Sequence, residues 1–155
     1  MPRLYFFRSA LVERDPRLTH PGPTDALRAE LVAKARAAGL LTIQAPKAMG
    51  GMGLSHVEQA LVFEAAGWST LGPIAMNCAA PDEGTMFLLG RIARPDQAEQ
   101  FLAPMIRGER RSVFAMTEPD GAGSDPGQLR TEAVFDGSGY TITGRKWLIT
   151  GAQGA

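Results

Sequence analysis

Residues 114–125 read Phe-Ala-Met-Thr-Glu-Pro-Asp-Gly-Ala-Gly-Ser-Asp and lie where the pattern of the chain changes. Before about Arg111 apolar residues recur at helical spacing, and from Leu129 they alternate as in a strand. Gly121 and Gly123 let the backbone approach a ligand closely, and a concave row of N–H groups suits a phosphate. The segment alone is a candidate anion-binding loop. A plain glycine-rich turn is the more common explanation, since the GxGxxG pattern and the phosphate-loop lysine are both missing.

Two helical patterns with clear start signals lie upstream of this segment. Thr24 is a suitable N-cap, and Gly39 is a suitable terminator for the helix that follows it. The residues predicted to be buried by this helix are Leu27, Leu31, Val32 and Ala35. Ser55 and Glu58 form a capping box for a second helix. Its predicted apolar face consists of Val57, Ala60, Leu61, Ala65 and Trp68.

Two further helices are predicted before the change of pattern. One runs from about Asp82 to Ala93, and the other begins at Pro95 and weakens near Pro104. The residues predicted to be buried are Met86, Leu89 and Ile92 in the first, and Ala98, Phe101 and Leu102 in the second.

The downstream part predicts a β-hairpin. Residues 129–135 alternate, residues 136–139 form an Asp-Gly-Ser-Gly turn, and residues 140–143 alternate again. Gly144 then interrupts the pattern and predicts a bulge or kink. Helices followed by strands predict an α+β chain. We expect an irregular lead-in over 1–23, an all-α domain over 24–110, and the first strands of an incomplete β domain over 111–155.

Composition excludes several classes of function. Lys plus Arg and Asp plus Glu each number 16, so nothing points to nucleic acid or to an anionic membrane. We expect no signal peptide, since the apolar run 4–7 is too short, and no membrane helix, since no stretch approaches the roughly 20 apolar residues that one needs. Cys78 is the lone cysteine, which fits a reducing, cytoplasmic location and is typical of a small buried residue. No metal site is predicted.

A second candidate segment covers residues 144–152, which read Gly-Arg-Lys-Trp-Leu-Ile-Thr-Gly-Ala. Trp147 and Ile149 can cover a flat ring, and Thr150 can donate a hydrogen bond to it. A core strand with a basic start explains the same residues when they are taken alone.

Together the two segments resemble the acyl-CoA dehydrogenase family. Thr117–Asp125 resembles its Thr-Glu-Pro-Gly-Ala-Gly-Ser-Asp motif, and Gly144–Gly151 resembles its Gly-x-Lys-x-Trp-Ile-Thr motif. Upstream, residues 46–54 and 97–109 resemble the family's Pro-x-x-x-Gly-Gly-x-Gly-Leu and Gln-x-x-x-x-Leu-x-Pro-x-x-x-Gly-Glu segments. Residues 77–82, with the extra Asp120, look like the branch of larger members that act on long or unusual acyl chains, some of them fused to a kinase-like domain.

The resemblance implies a β-barrel-like middle domain that binds FAD and an acyl-CoA substrate. Groups at Met116 and Thr117 would contact the isoalloxazine edge, with Phe114 nearby. Ser124 would lie near the FAD pyrophosphate and the acyl-CoA, and Ile149 and Thr150 would lie on the other side of the ring. The cofactor-binding residues implied in this way are Phe114, Met116, Thr117, Gly123, Ser124, Leu148, Ile149 and Thr150, with Ser124 also implied for the substrate.

Two departures from the family bear on activity. Leu148 stands where many members have tryptophan, which puts ring stacking there in doubt. The family's glutamate base lies in a C-terminal helical domain, so the resemblance implies no catalytic residue in this chain, and Glu118 is not a candidate. We expect FAD-dependent α,β-dehydrogenation of an acyl-CoA thioester by a protein of which this chain is an inactive fragment. The electron acceptor is not identified.

Two alternatives stay open. In the first, the chain is a non-enzymatic remnant or a partner subunit. In the second, it is an unrelated phosphate-binding module built on residues 121–125. The expected partner is a second copy in a homo-oligomer or a complementary C-terminal chain, because an incomplete β domain exposes apolar strand edges.

Overall fold

The computed structural model describes residues 18–19, 22–120 and 125–155. In chain order the regular elements are β1 (Leu18–Thr19), β2 (Gly22–Pro23), α1 (Asp25–Ala37), α2 (His56–Ala66), α3 (Gly72–Ala75), α4 (Asp82–Ile92), α5 (Pro95–Gln97), a π-helical turn (Ala98–Leu102), α6 (Ala103–Ile106), β3 (Glu132–Phe135) and β4 (Tyr140–Thr143). Short 3₁₀ turns cover Lys47–Met49 and Pro126–Gln128. None of the helices in these ranges is long and apolar enough to cross a membrane.

Helix α1 forms as its sequence predicts. The hydroxyl of Thr24 accepts a hydrogen bond from the N–H of Leu27, which satisfies one of the free donors of the first turn. The helix is followed by Gly39 in a left-handed conformation, with φ of +68°. All four predicted apolar residues are buried, namely Leu27, Leu31, Val32 and Ala35.

Helix α2 begins at the predicted capping box but buries a different face. Glu58 and Ser55 exchange side-chain and backbone hydrogen bonds, as expected. The predicted inward face is wrong: Trp68, just beyond the helix, is 75% exposed, and Val57 and Leu61 also face solvent. The residues that pack inward are Val62, Phe63 and Ala66. The helix carries apolar residues on two sides, and its packing against α1 and α3 covers only one of them.

The helical part has two apolar clusters. The first joins α1, α3 and the end of α2 through Leu27, Leu31, Ala35, Ile43, Ala66, Leu71, Ala75 and Met76. The second joins α4 to the continuous helix 95–106 through Ala45, Met86, Leu102, Met105 and Ile106. Two predictions of burial are wrong here, because Ile92 and Phe101 lie on the outer sides of their helices and are exposed.

The 95–106 helix does not weaken at Pro104 as predicted. It passes through the proline by means of the π-helical turn Ala98–Leu102, in which the N–H of Ala103 reaches the carbonyl of Ala98. Proline has no N–H and crowds the carbonyl four residues earlier. A π-turn before it widens the backbone and lets the helix continue to Ile106.

Strands β3 and β4 form the predicted antiparallel hairpin, with Phe135 opposite Tyr140. In its turn, Asp136 accepts hydrogen bonds from the N–H groups of Ser138 and Gly139 and from the Ser138 hydroxyl, which lowers the pKa of Asp136 to about 2. Strand β3 starts at Glu132, three residues later than the pattern predicts. The N–H groups of residues 130 and 131 are directed to Glu118 and are not available to a strand partner. Strands β1 and β2 form a second, very short antiparallel pair, so the described chain is α+β with two open, two-stranded sheets.

Candidate functional site

The carboxylate of Glu118 lies at the centre of the contacts between the two sequence motifs. It is 5% exposed and accepts four hydrogen bonds. The donors are Lys146 Nζ at 2.8 Å, the N–H of Arg130 at 2.6 Å, and the N–H and hydroxyl of Thr131 at 2.9 and 2.5 Å. These donors, first Lys146 and then Thr131, lower the pKa of Glu118 to about 2. The side chain is therefore ionised, and its hydrogen bonds connect the first motif to residues 130–131 and to Lys146 of the second motif.

Two further hydrogen bonds align the motifs directly. Lys146 Nζ donates to the carbonyl of Met116 at 2.9 Å, and the N–H of Trp147 donates to the carbonyl of Thr117 at 3.2 Å. The two segments, about 30 residues apart in the chain, thus lie side by side. Sequence reasoning placed both motifs but missed the pair of Glu118 and Lys146. The presence of a carboxylate in one motif and a lysine in the other is the signal that could have found it.

Thr117 retains the polar groups that a ligand could use. The N–H of Met116 is directed to the carbonyl of Phe114 at 3.0 Å, and the Met116 carbonyl is taken by Lys146. In contrast, neither the N–H nor the hydroxyl of Thr117 has a hydrogen-bond partner among the residues that the structure describes. Phe114 is exposed nearby in sequence. Of these two residues, only Thr117 has a main-chain N–H without a partner in the described chain, and the contact of either residue with an isoalloxazine edge stays a prediction.

Gly144 lets the second motif approach the first. A methyl group at this position would lie 2.0 Å from the hydroxyl oxygen of Thr131 and 2.8 Å from its Cα. Thr131 in turn holds Glu118. The sequence predicted a bulge or kink at Gly144. Strand β4 ends at Thr143, and Gly144 provides the close approach that places Lys146 over Glu118.

Ile149 and Thr150 occupy a different environment from Thr117. They line a cavity of about 830 Å³ between the start of α1, the segment before α4 and the C-terminal turn. Arg28, Ile74 and Arg111 also line this cavity, whereas Thr117 does not. The structure thus brings Met116 and Thr117 to Trp147, but it does not place Thr117 and Thr150 in one described pocket.

Three predicted positions remain, namely Leu148, Gly123 and Ser124. Leu148 is 82% exposed and adopts a left-handed conformation with φ of +51°, which is uncommon for a residue other than glycine. Nothing covers this side chain in the described part of the chain. Gly123 and Ser124 lie outside the residues that the structure describes, as do Gly121 and Ala122.

Asp82 connects the helical part to the first motif. It is buried at the start of α4 and accepts hydrogen bonds from the N–H of Ser112 at 2.6 Å and from the Ser112 hydroxyl at 3.0 Å. Arg28 of α1 lies 3.9 Å from its other oxygen. This contact fixes the start of the segment that leads to Phe114 and Thr117.

Asn77 is a second buried polar centre. It is 2% exposed and has φ of +55°. Its side-chain amide donates to the carbonyl of Met105 at 2.7 Å and to the hydroxyl of Thr42 at 3.0 Å. Its neighbour Cys78, predicted to be a small buried residue, is half-buried, and burial raises the pKa of its thiol to about 11. A thiol with this pKa stays protonated at neutral pH and packs as an apolar group.

Family models match nearly all of the described chain. Residues 12–109 match the N-terminal domain of acyl-CoA dehydrogenases, and residues 113–155 match their middle domain. The chain belongs to the acyl-CoA dehydrogenase family, as its motifs predicted.

Named relatives agree with this assignment. "Probable acyl-CoA dehydrogenase FadE2" of Mycobacterium tuberculosis is 45% identical over 101 residues, which cover 64% of this chain and 25% of the relative. "Acyl-CoA dehydrogenase family member 11" of Mus musculus is 39% identical over 118 residues, which cover 76% of this chain and 15% of the relative. A solved structure from Mycobacterium abscessus, titled as "a putative acyl-CoA dehydrogenase", shares the fold with a TM-score of 0.77 and 40% identity, covering 94% of this chain and 37% of that one. The chain spans a quarter or less of the length of the two curated relatives, FadE2 and family member 11.

Proposed function

We propose that this chain supplies part of the flavin site of an enzyme that dehydrogenates an acyl-CoA thioester between its α and β carbons. One observation carries the proposal: Lys146 and Trp147 align the second motif with the first and leave the donors of Thr117 without partners in the described chain. Membership of the family supports the reaction class. It also argues against an unrelated phosphate-binding module.

The residues fit FAD in the chemistry of their donors. The N–H and hydroxyl of Thr117 suit the acceptor atoms along an isoalloxazine edge, and the exposed ring of Phe114 suits its apolar part. Ile149 and Thr150 would contact the other side of the ring. Gly123 and Ser124 would contact the diphosphate, with Ser124 also near the acyl-CoA. When bound, FAD would accept a hydride from the substrate, and the protein would bind and orient it.

The base that removes the α-proton would come from polypeptide outside this chain. Glu118 cannot serve, because four donors occupy its carboxylate and its pKa is about 2. A general base needs a free lone pair and a pKa nearer the working pH. We therefore propose that the chain alone binds FAD but does not dehydrogenate acyl-CoA.

A completing polypeptide is the proposed partner, either a complementary C-terminal chain or further copies in a homo-oligomer. The exposed residues of the hairpin support this, since Val134, Phe135, Tyr140 and Ile142 all face solvent. A non-enzymatic partner subunit would use the same surfaces, and FAD binding distinguishes it from the enzyme. A cytoplasmic location stays a prediction.

Titration of FAD followed by flavin fluorescence tests the proposal. We expect the purified chain to bind FAD, and Thr117→Val to weaken binding about tenfold, as for one lost hydrogen bond to the ligand. Thr141→Val makes the same change on the exposed hairpin and should leave the affinity unchanged. A wild-type chain that binds no FAD would contradict the proposal.

A further inference from the structure

We infer that Lys146 is a positioning residue that orients the Met116–Thr117 peptide so that the N–H of Thr117 is presented to the flavin. This inference rests on the proposed function and assigns to Lys146 a role in cofactor binding without direct contact to the cofactor. The observation behind it is the pair of hydrogen bonds from Lys146 Nζ, to the Met116 carbonyl at 2.9 Å and to Glu118 Oε1 at 2.8 Å.

The direction of the Met116 carbonyl sets the direction of the Thr117 N–H, because both groups belong to one planar peptide group. In a trans peptide the C=O of one residue and the N–H of the next point in opposite directions. Holding the carbonyl of Met116 towards Lys146 therefore directs the N–H of Thr117 away from it. The next carbonyl, that of Thr117, is held by the N–H of Trp147 at 3.2 Å. Both peptide planes around Thr117 are thus fixed by the second motif.

Lys146 can hold this carbonyl because its own ammonium group is anchored. A lysine side chain is flexible and loses entropy when it is fixed. The buried carboxylate of Glu118 offsets that cost with a charge-assisted hydrogen bond, and Glu118 is itself fixed by Arg130 and Thr131. The chain of contacts runs from the backbone of residues 130–131, through Glu118 and Lys146, to the Met116 carbonyl.

Removing Lys146 would leave most of this anchor in place. Glu118 would keep three donors, from Arg130 and Thr131, and the Trp147 bond is made by the backbone. The Met116 carbonyl would lose the hydrogen bond that fixes its direction. Two roles of Lys146 can therefore be distinguished. If Lys146 only stabilises the fold, removing it lowers stability alone. If it positions the peptide, removing it also changes the environment of the Thr117 amide and the affinity for FAD.

The experiment compares three variants of the whole chain. Lys146→Met removes both hydrogen bonds, and Lys146→Arg keeps a charged donor. Lys34→Met is the matched control, since Lys34 pairs with Glu30 at 2.6 Å on the exposed side of α1. Two quantities are measured: the ¹⁵N shift and hydrogen exchange of the Thr117 amide without cofactor, and the FAD dissociation constant.

We expect Lys146→Met to shift the Thr117 amide resonance, to speed its exchange and to weaken FAD binding about tenfold or more, as for loss of a charge-assisted contact. Lys146→Arg should retain affinity within about threefold, and Lys34→Met should match the wild type in both measurements. Unchanged Thr117 resonances or unchanged affinity in Lys146→Met would overturn the positioning role while leaving the proposed function intact. Absence of FAD binding by the wild type would instead contradict the proposed function, and the cofactor role of Lys146 with it.

Discussion

The carboxylate of Glu118 joins three segments that are far apart in the chain. Its donors come from residues 130, 131 and 146, so its environment exists only when both motifs are in place. Folding stabilises the charged form and lowers the pKa from 4.5 to about 2. A group of this kind contributes stability above its unfolded pKa, and that contribution is lost as the pH falls towards the folded pKa.

Glu118→Gln should therefore destabilise the chain in a pH-dependent way. We expect the wild type to be more stable at pH 6, and the difference in unfolding free energy to shrink as the pH falls from about 5 towards 2. Urea unfolding at a series of pH values measures it. A difference that stays constant over this range would show that the charge of Glu118 does not stabilise the fold.

The contact between Gly144 and Thr131 leads to a second prediction for single residues. Gly144→Ala should destabilise the chain by about 1–3 kcal/mol, because the new methyl group would overlap the Thr131 side chain that holds Glu118. Gly139→Ala is the control in the same hairpin, where a methyl group meets nothing within 4 Å. Thermal unfolding of both variants measures the effect. Equal stabilities would contradict the close approach.

At this scale the sequence predicts candidate residues better than their partners. The motifs predicted Thr117 and Thr150, but the exchange of hydrogen bonds between Lys146, Glu118 and Met116 depends on how two distant segments pack. Leu148, which stands where many family members have tryptophan, is exposed and has a left-handed backbone, and its role at the flavin stays a prediction.

Helix starts were predictable because caps are local. The hydroxyl of Thr24 and the capping box of Ser55 and Glu58 act within three residues, so the sequence contains everything needed to recognise them. The inward face of α2 was not predictable. Its periodicity allows two apolar faces, and only the positions of α1 and α3 select Phe63 and Ala66 over Leu61. The π-turn before Pro104 likewise depends on tertiary packing that favours a continuous helix.

Asn77 connects elements that no local signal joins. Its amide donates to Met105 at the end of the 95–106 helix and to Thr42 in the segment between α1 and α2. Asn77→Ala should destabilise the chain by about 2–4 kcal/mol, because buried acceptors lose their donor and alanine disfavours the left-handed backbone.

Asn77→Gly separates the two causes. Glycine tolerates φ of +55° but supplies no amide, so it should recover only the backbone part, about 1 kcal/mol. Chemical denaturation of the two variants measures both terms. If Asn77→Gly were as stable as the wild type, the hydrogen bonds of Asn77 would be unimportant.

The whole chain carries apolar surface on both of its parts. In the hairpin, the register places Ala133, Phe135, Tyr140 and Ile142 on one face, and the rings of Phe135 and Tyr140 lie 5.0 Å apart. An isolated two-stranded hairpin is marginally stable in water, so we expect another polypeptide surface to pack against this face.

The chain should therefore self-associate when it is studied alone. Phe135→Lys combined with Ile142→Lys should lower its average mass in sedimentation experiments, since both side chains lie on the apolar face. The control, Thr141→Lys, lies on the opposite face of the same strand and should have no effect. A wild-type chain that is monomeric at high concentration would contradict a role for this face.

The class of fold was predictable from the order of its patterns, helices first and a hairpin last. The contact that joins the two parts was not. Asp82 resembles an ordinary first-turn carboxylate of α4, yet its hydrogen bonds from Ser112 fix the segment that leads into the first motif. Such contacts depend on packing between distant segments, which sequence periodicity does not report.

The most direct test of the central claim is calorimetric titration of FAD into this chain mixed with a polypeptide corresponding to the unmatched remainder of the Mycobacterium abscessus relative. We predict one FAD bound per chain, with affinity reduced by Thr117→Val and by Lys146→Met. No heat of binding, in a mixture that sedimentation shows to be associated, would contradict the claim that the two aligned motifs form a flavin site.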